Sequence, residues 1–417
     1  MNIKSAKKFD QEDSLSHFKS RFHLPKTKLG EDFIYFCGNS LGLQPDTAAL
    51  FINEELEAWK KYGVEGHFHA KRPWMQYHEF LTKYSAEIVG ALEKEIVVMN
   101  SLSVNLHLLM TSFYRPKGKK KKILIENNTF PSDIYAVQSQ LKFHGNHPTD
   151  DLIILEPNDG TIITTNCILD SFNHNGDEIA MVLIGGVNYY SGQAFDMKAI
   201  TKVAHENNCV VGFDLAHGAG NLELKLHDWN IDFAAWCGYK YLNGGPGAPS
   251  GVFIHEQYLG KTDIPRFEGW WGHDKSTRFK MPDKFIPINT AEAWQLSNPP
   301  IMAMAPLLAS LEIFHEAGMK NLIKKSISLT AYLEDLILYE LTNEIEIITP
   351  RRPNERGCQL SLRLIKPFDN IMDRLNDLGI IADWREPDIL RIAPVPLYNT
   401  FVDCFKFVSR LKILLNE

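Results

Sequence analysis

The sequence predicts an α/β fold: a mostly parallel central sheet flanked by helices, joined to a smaller α+β domain. Two features of the pattern carry this prediction. From about residue 95 to 255, short β-rich runs alternate with stretches of helical spacing, the order of a parallel sheet covered on both faces. After Pro299-Pro300 the texture changes to long helical periodicity followed by short strands. The length, 417 residues, exceeds the roughly 150 of a single average domain.

Taken in order, the first sixty or so residues lack the βα rhythm and are expected to pack with the C-terminal layer. The β-rich runs are Lys122–Glu126, Asp151–Leu155, Ile179–Val187, Cys209–Phe213, Asp232–Trp236 and Gly251–His255. They are almost continuously apolar, as strands buried on both faces must be. Helical spacing fills Pro131–Lys142 and Asp196–Asn207. The basic run RPKGKKKK, Arg115 to Lys122, leads straight into the apolar ILIE. It reads better as a solvated turn before a strand than as a phosphate patch. Beyond Pro300 a helical pattern runs from Ile301 to Ala317 and on through Tyr339. Ile345–Ile348, Gln359–Leu364 and Ile389–Ile392 then read as strands, with a helix at Phe368–Leu378. Three segments follow: 1–70 packing with the small domain, 71–300 as the large α/β domain, and 301–417 as the small one.

Composition narrows the function. With 44% hydrophobic and 23% charged residues, the chain has enough apolar material for a packed core. Lys and Arg number 44 against 51 Asp and Glu, a net charge of −7, which argues against a nucleic-acid binder that must neutralise phosphates. No apolar run approaches the roughly 18 residues of a membrane span. The start MNIKSAKKFDQEDS has no apolar signal region, and the six cysteines contain no CxxC pair. A cytoplasmic enzyme with reduced thiols is expected.

In open parallel sheets ligands bind at the carboxyl ends of the strands, so polar residues just after apolar runs are the candidates. In VVGFDLAHGAGN a buried strand ends in Asp214, followed by His217. A carboxylate there is costly without a cationic partner; alternatively Asp214 caps its own turn. In AAWCGYKYLNGGPG a strand ends in Tyr239-Lys240 before a glycine-rich loop. In an apolar pocket the lysine would favour its neutral, nucleophilic amine; the alternative is a snorkelling surface lysine. Together the two fit pyridoxal phosphate, which needs an acid facing its ring nitrogen and a lysine at its aldehyde. In NSLSVNLHLLM, Ser101 and Ser103 are natural helix N-caps, and a helix start also binds phosphate. Phe130, in NTFPSD, follows the strand ILIE and could stack on a flat ring.

These stretches carry a resemblance. YFCGNSLGLQP, GHFHAKRPW, MNSLSVNLHLLM, NTFPSD, FDLAHGAGN, WCGYKYLNGGPG, GWWGHDKSTRF, LSNPP and RIAPVPLYN occur in this order and resemble the kynureninases, fold-type I pyridoxal-phosphate enzymes of the class V aminotransferase-like superfamily. The resemblance implies a homodimer that cleaves kynurenine or its 3-hydroxy form, with pyridoxal 5′-phosphate held on Lys240. It makes Asp214 the ring-nitrogen partner with His217 beside it, and gives Leu102, Ser103 and Tyr239 to the phosphate. Phe130 would stack on the ring, with Pro131, Ser132 and Asp133 at its edge. Trp270 and Asn298 would reach the cofactor from the other subunit. Arg391 would grip the substrate carboxylate as a fork, with His67 and Asn298 bordering the aromatic end. Tyr239 would relay a proton. One departure stands out: Gly185 occupies a position where the family often has a hydroxyl residue.

Other chemistries fit less well. GGPGAPSG precedes a strand rather than a helix, which excludes a dinucleotide fingerprint. His67 and His69 lack a further ligand at zinc-site spacing. A desulfurase needs a thiol on a mobile loop, whereas Cys358 begins the strand-like GCQLSLRL and reads as a core thiol.

Overall fold

The computed structural model describes residues 2–157 and 160–416. Seven strands form the main sheet: β1 (Ile96–Met99), β2 (Lys122–Glu126), β3 (Leu152–Leu155), β4 (Ile179–Gly185), β5 (Val210–Asp214), β6 (Phe233–Trp236) and β7 (Ser250–Ile254). Their order is β1-β7-β6-β5-β4-β2-β3. All pairs from β6 to β3 are parallel, while β7 runs antiparallel to both neighbours. The parallel sheet is thus as expected, and β1 is an addition: IVVM is too short beside its helical flanks to register as a strand.

Each strand feeds two cores. In β2, Ile123 and Ile125 lie in one apolar cluster and Leu124 in the other; in β4, Met181 and Leu183 oppose Val182 and Ile184. The two-residue period sends alternate side chains to opposite faces. Helices α1 (Leu102–Phe113) and α2 (Pro131–Phe143) cover one face, and α3 (Met197–Glu206) and α4 (Ile301–Ala317) the other. α3 starts where Asp196 accepts the Ala199 N–H, a cap that matches the expected start.

The long helical pattern after Pro300 is two helices. Gly318, at φ +74°, ends α4 and begins α5 (Met319–Glu340). A third core joins α5, α6 (Phe401–Leu415) and a four-stranded sheet: β8 (Ile345–Ile347), β9 (Leu360–Leu364), β10 (Asp383–Arg385) and β11 (Ile389–Ile392), in the order β8-β9-β11-β10. β10 escaped the sequence reading because DWR is polar and three residues long. α6 opens with a capping box of Thr400 and Asp403.

The N-terminal segment ties this layer to the main sheet. Ile34–Tyr35 pairs in parallel with Ile380–Ile381, and the Ala393 N–H donates to Phe36 O. A few residues on, the Gly42 N–H donates to Tyr239 O at 2.9 Å. A Cβ at Gly42 would fall inside contact distance of Lys240 O and Asn243, so this crossing admits only glycine. Gly42→Ala is expected to destabilise the fold by about 1–3 kcal/mol, read as a lower midpoint in denaturant unfolding.

Candidate active site

The strand order reverses between β2 and β4, and there a crevice opens at the carboxyl ends of the strands. It holds a cavity of about 160 Å³. Of the residues expected from sequence, Leu102, Ser103, Phe130, Ser132, Asp133, Asp214, His217, Tyr239 and Lys240 line it. Pro131 is the first residue of α2, where its missing N–H costs nothing.

One end of the cavity is built for an anion. α1 and α2 start side by side, and Ser103 Oγ lies 2.7 Å from Ser132 Oγ. The free N–H groups of the first turn of α1, the Ser132 N–H of α2 and two hydroxyls therefore converge. Ser101 is the N-cap of α1 by position but its side chain makes no capping bond, and Ser103 sits within the first turn. The expectation of two capping serines is corrected, and both hydroxyls remain available to a ligand.

Carboxyls also line the cavity. Asp214 closes β5, and its Oδ1 accepts the Ala216 N–H at 2.6 Å; the turn-capping role and a place in the site hold together. Asp133 of α2 hydrogen-bonds to Asp214. Burial, then the charge of Asp214, pushes the Asp133 carboxyl well up. Burial also pushes Asp214 up, while Asp133 and Lys240 pull it back. Lys240 therefore faces acids rather than the apolar pocket that the sequence suggested. Its Nζ lies 5.7 Å from the centre of the Phe130 ring, so ring and amine share one face of the cavity. Burial, then the charges of Lys240 and Arg391, holds His217 well below the usual imidazole range, and its Nδ1 has no hydrogen-bond partner among the described residues. Burial pushes the Tyr239 hydroxyl up, with Cys237 beside it.

Arg391 stands one layer behind. It is 1% exposed on β11, donates from Nη1 to Tyr189 O at 2.8 Å and pairs through Nη2 with Asp383. Tyr189 lines the cavity and meets Phe130 edge-on, with ring centres 5.3 Å apart. Within one chain, Trp270, Asn298 and His67 are not among the cavity's lining residues. Trp270 is 40% exposed and donates from Nε1 to Arg278 O. Asn298 is exposed. The His67 ring packs edge-on to Trp74, whose indole is fixed by buried Glu55.

Glu126, Tyr189 and Cys237 also line the cavity without having been expected. Glu126 was within reach of the rule that picked Asp214, because it is the polar last residue of an apolar strand. Cys358 is fully buried, as expected of a core thiol. No helix among the described residues is long and apolar enough to cross a membrane.

Comparison with known proteins meets this geometry. Residues 322–411 match the family described as "Kynureninase C-terminal domain". The chain is 54% identical over 408 residues to the kynureninase of Koribacter versatilis, covering 98% of this chain and 96% of that one. It is 44% identical over 432 residues to the kynureninase of Mus musculus, covering 99% and 93%. Among solved structures, a C-DES mutant with glycine covalently linked to its PLP cofactor superposes at a TM-score of 0.79, with 18% identity over 92% of this chain and 97% of that one. The Escherichia coli cysteine desulfurase CsdA superposes at 0.77, with 16% identity over 97% and 98%. The fold is that of the fold-type I pyridoxal-phosphate enzymes. Within that class, the chain belongs to the kynureninase family.

The segment bearing Trp270 is anchored by buried Glu292, which bonds His78 Nε2 at 2.9 Å and Lys275 Nζ at 2.8 Å. Burial opposes its ionisation, but His78 and Lys275 outweigh it and hold the carboxyl down to about 2. A depressed carboxyl stabilises above its unfolded value, near 4.5, and loses that contribution as pH falls towards 2. Glu292→Gln is therefore expected to cost stability at neutral pH, with the deficit shrinking between about pH 4.5 and 2. Denaturant unfolding of both proteins across that range tests it; a constant deficit would count against the linkage.

Proposed function

We propose that this protein hydrolyses the Cβ–Cγ bond of L-kynurenine, or of 3-hydroxy-L-kynurenine, to anthranilate or 3-hydroxyanthranilate and L-alanine, in tryptophan catabolism and the supply of NAD precursors. The observation that carries the reading is the meeting of Lys240, the Asp133–Asp214 pair and the paired starts of α1 and α2 in one crevice. Pyridoxal 5′-phosphate, when bound, supplies an electron sink for the charge that develops at the substrate's α-carbon.

The cavity suits that group on its own chemistry. The helix starts, with Ser103 and Ser132, match a phosphate, the Phe130 face matches a flat ring, and ionised Asp214 matches a protonated ring nitrogen. Lys240 Nζ would hold the cofactor and then move the α-proton. The Tyr239 hydroxyl would hold the proton relayed as water adds to the ketone. Arg391, steered by Asp383, would bind the substrate carboxylate. The thiol considered for a desulfurase, Cys358, is buried.

In this reading the enzyme works in the cytoplasm as a homodimer. Trp270 and Asn298, away from their own chain's cavity, would complete the site of a second copy, and His67 would border the substrate's aromatic end.

Mixing the protein, pyridoxal phosphate and kynurenine should yield fluorescent anthranilate. Lys240→Ala should lower turnover at least about a hundredfold, and its retention of full activity would end the proposal. Arg391→Lys should raise KM for kynurenine about tenfold or more, with kcat changed less. Trp270→Ala mixed with Lys240→Ala should recover activity through hybrid dimers with one intact site; no recovery on mixing would refute site sharing.

A further inference from the structure

Glu126 closes β2 and Gly185 closes β4, the two strands between which the strand order reverses. The Glu126 side chain spans that split: Oε1 accepts the Gly185 N–H at 3.1 Å. The whole residue is 3% exposed, and Oε2 has no hydrogen-bond partner among the described residues. Both residues line the cavity.

Gly185 does not have the positive φ that would call for glycine. A side chain there would instead need the Glu126 carboxyl to move. A Cβ there would lie 2.9 Å from Glu126 Oε1, nearer than real Cβ contacts come. A hydroxyl residue at 185 and Glu126 in its present rotamer thus exclude each other.

Resting on the pyridoxal-phosphate reading above, we infer that Glu126 is a cofactor-positioning residue: its Oε1 ties the tips of β2 and β4 together, and its Oε2 makes the hydrogen bond to the bound cofactor that a hydroxyl at position 185 would otherwise make.

Charge supports this. Asp214 from β5, Asp133 from α2 and Lys240 from the loop after β6 are the ionisable groups near Glu126. Three ionised carboxyls against one ammonium would repel an anionic ligand. Burial, with Asp214 adding to it, lifts Glu126 to about 7, and burial with the charge of Asp214 lifts Asp133, so the site favours fewer than three negative charges. When protonated, Glu126 has an Oε2–H to donate, and Oε2 has no hydrogen-bond partner among the described residues. A buried donor of this kind is costly until a ligand pairs with it.

The test is titration of the cofactor-free protein with pyridoxal phosphate, followed by absorbance and protein fluorescence. Melting curves of each cofactor-free variant report folding. Glu126→Ala should weaken affinity roughly tenfold, whereas Glu126→Gln, neutral and of the same shape, should stay within about threefold. Gly185→Ser should weaken binding in the wild-type background yet restore part of it in the Glu126→Ala background, where the hydroxyl has room. A purely structural role for Glu126 predicts additive losses instead. Unchanged affinity in Glu126→Ala, an equal loss in Glu126→Gln, or failure of Gly185→Ser to rescue would each overturn the inference while leaving the cofactor reading intact. A wild-type protein that takes up no pyridoxal phosphate would overturn that reading itself.

Discussion

Asp214 and Asp133 meet out of water, and much of the architecture follows from keeping them there. A buried carboxyl is tolerated only when it is hydrogen-bonded, paired with a cation or neutralised. Here all three devices operate: the Ala216 N–H bonds Asp214, Lys240 pulls on its charge, and burial favours the neutral form of Asp133. The pair requires β5, the start of α2 and the loop after β6 to converge within hydrogen-bond reach. Only the carboxyl edge of a parallel sheet brings so many chain ends together. The antiparallel β7 assists without contributing a polar tip, because its direction hands the chain back from that edge.

Acids and helix starts share one cavity, with Asp133 itself in the first turn of α2. A ligand that carries both an anionic group and a basic nitrogen thus meets complementary partners there. Phe130 fixes the remaining degree of freedom, since its ring faces the amine of Lys240 and is braced edge-on by Tyr189. Tyr189 also links inward to Arg391 through its carbonyl. The guanidinium is thus supported from the cavity wall while Asp383 holds it from behind.

Much of this was legible in the sequence because parallel strands end abruptly. A polar residue after four or five buried apolar ones is anomalous, which singles out Asp214 and Lys240. Glu126 obeys the same rule but closes the run KILIE without a glycine loop after it, so it passed as part of the strand. The pairing of Ser103 with Ser132 was not legible, since the residues lie on different helices and only the sheet order makes them neighbours. Nor could the environment of Lys240 be read locally: its flanking tyrosines suggested an apolar pocket, while the acids beside it arrive from elsewhere in the chain. The remoteness of Trp270, Asn298 and His67 from the cavity has the same origin, because a motif fixes residue identity and not which surface the residue meets.

The N-terminal crossing has a consequence for how the protein is made. Tyr35 to Pro45 leaves the ribosome long before its strand partners Ile380–Ile381 and Ala393. At about 5–20 residues per second, the apolar IYF run waits tens of seconds for its mates. The sheet can form meanwhile, but the Lys240 loop keeps an unmade contact at Tyr239 O until Gly42 arrives. The site is thus completed by a segment made long before the strands that hold it in place.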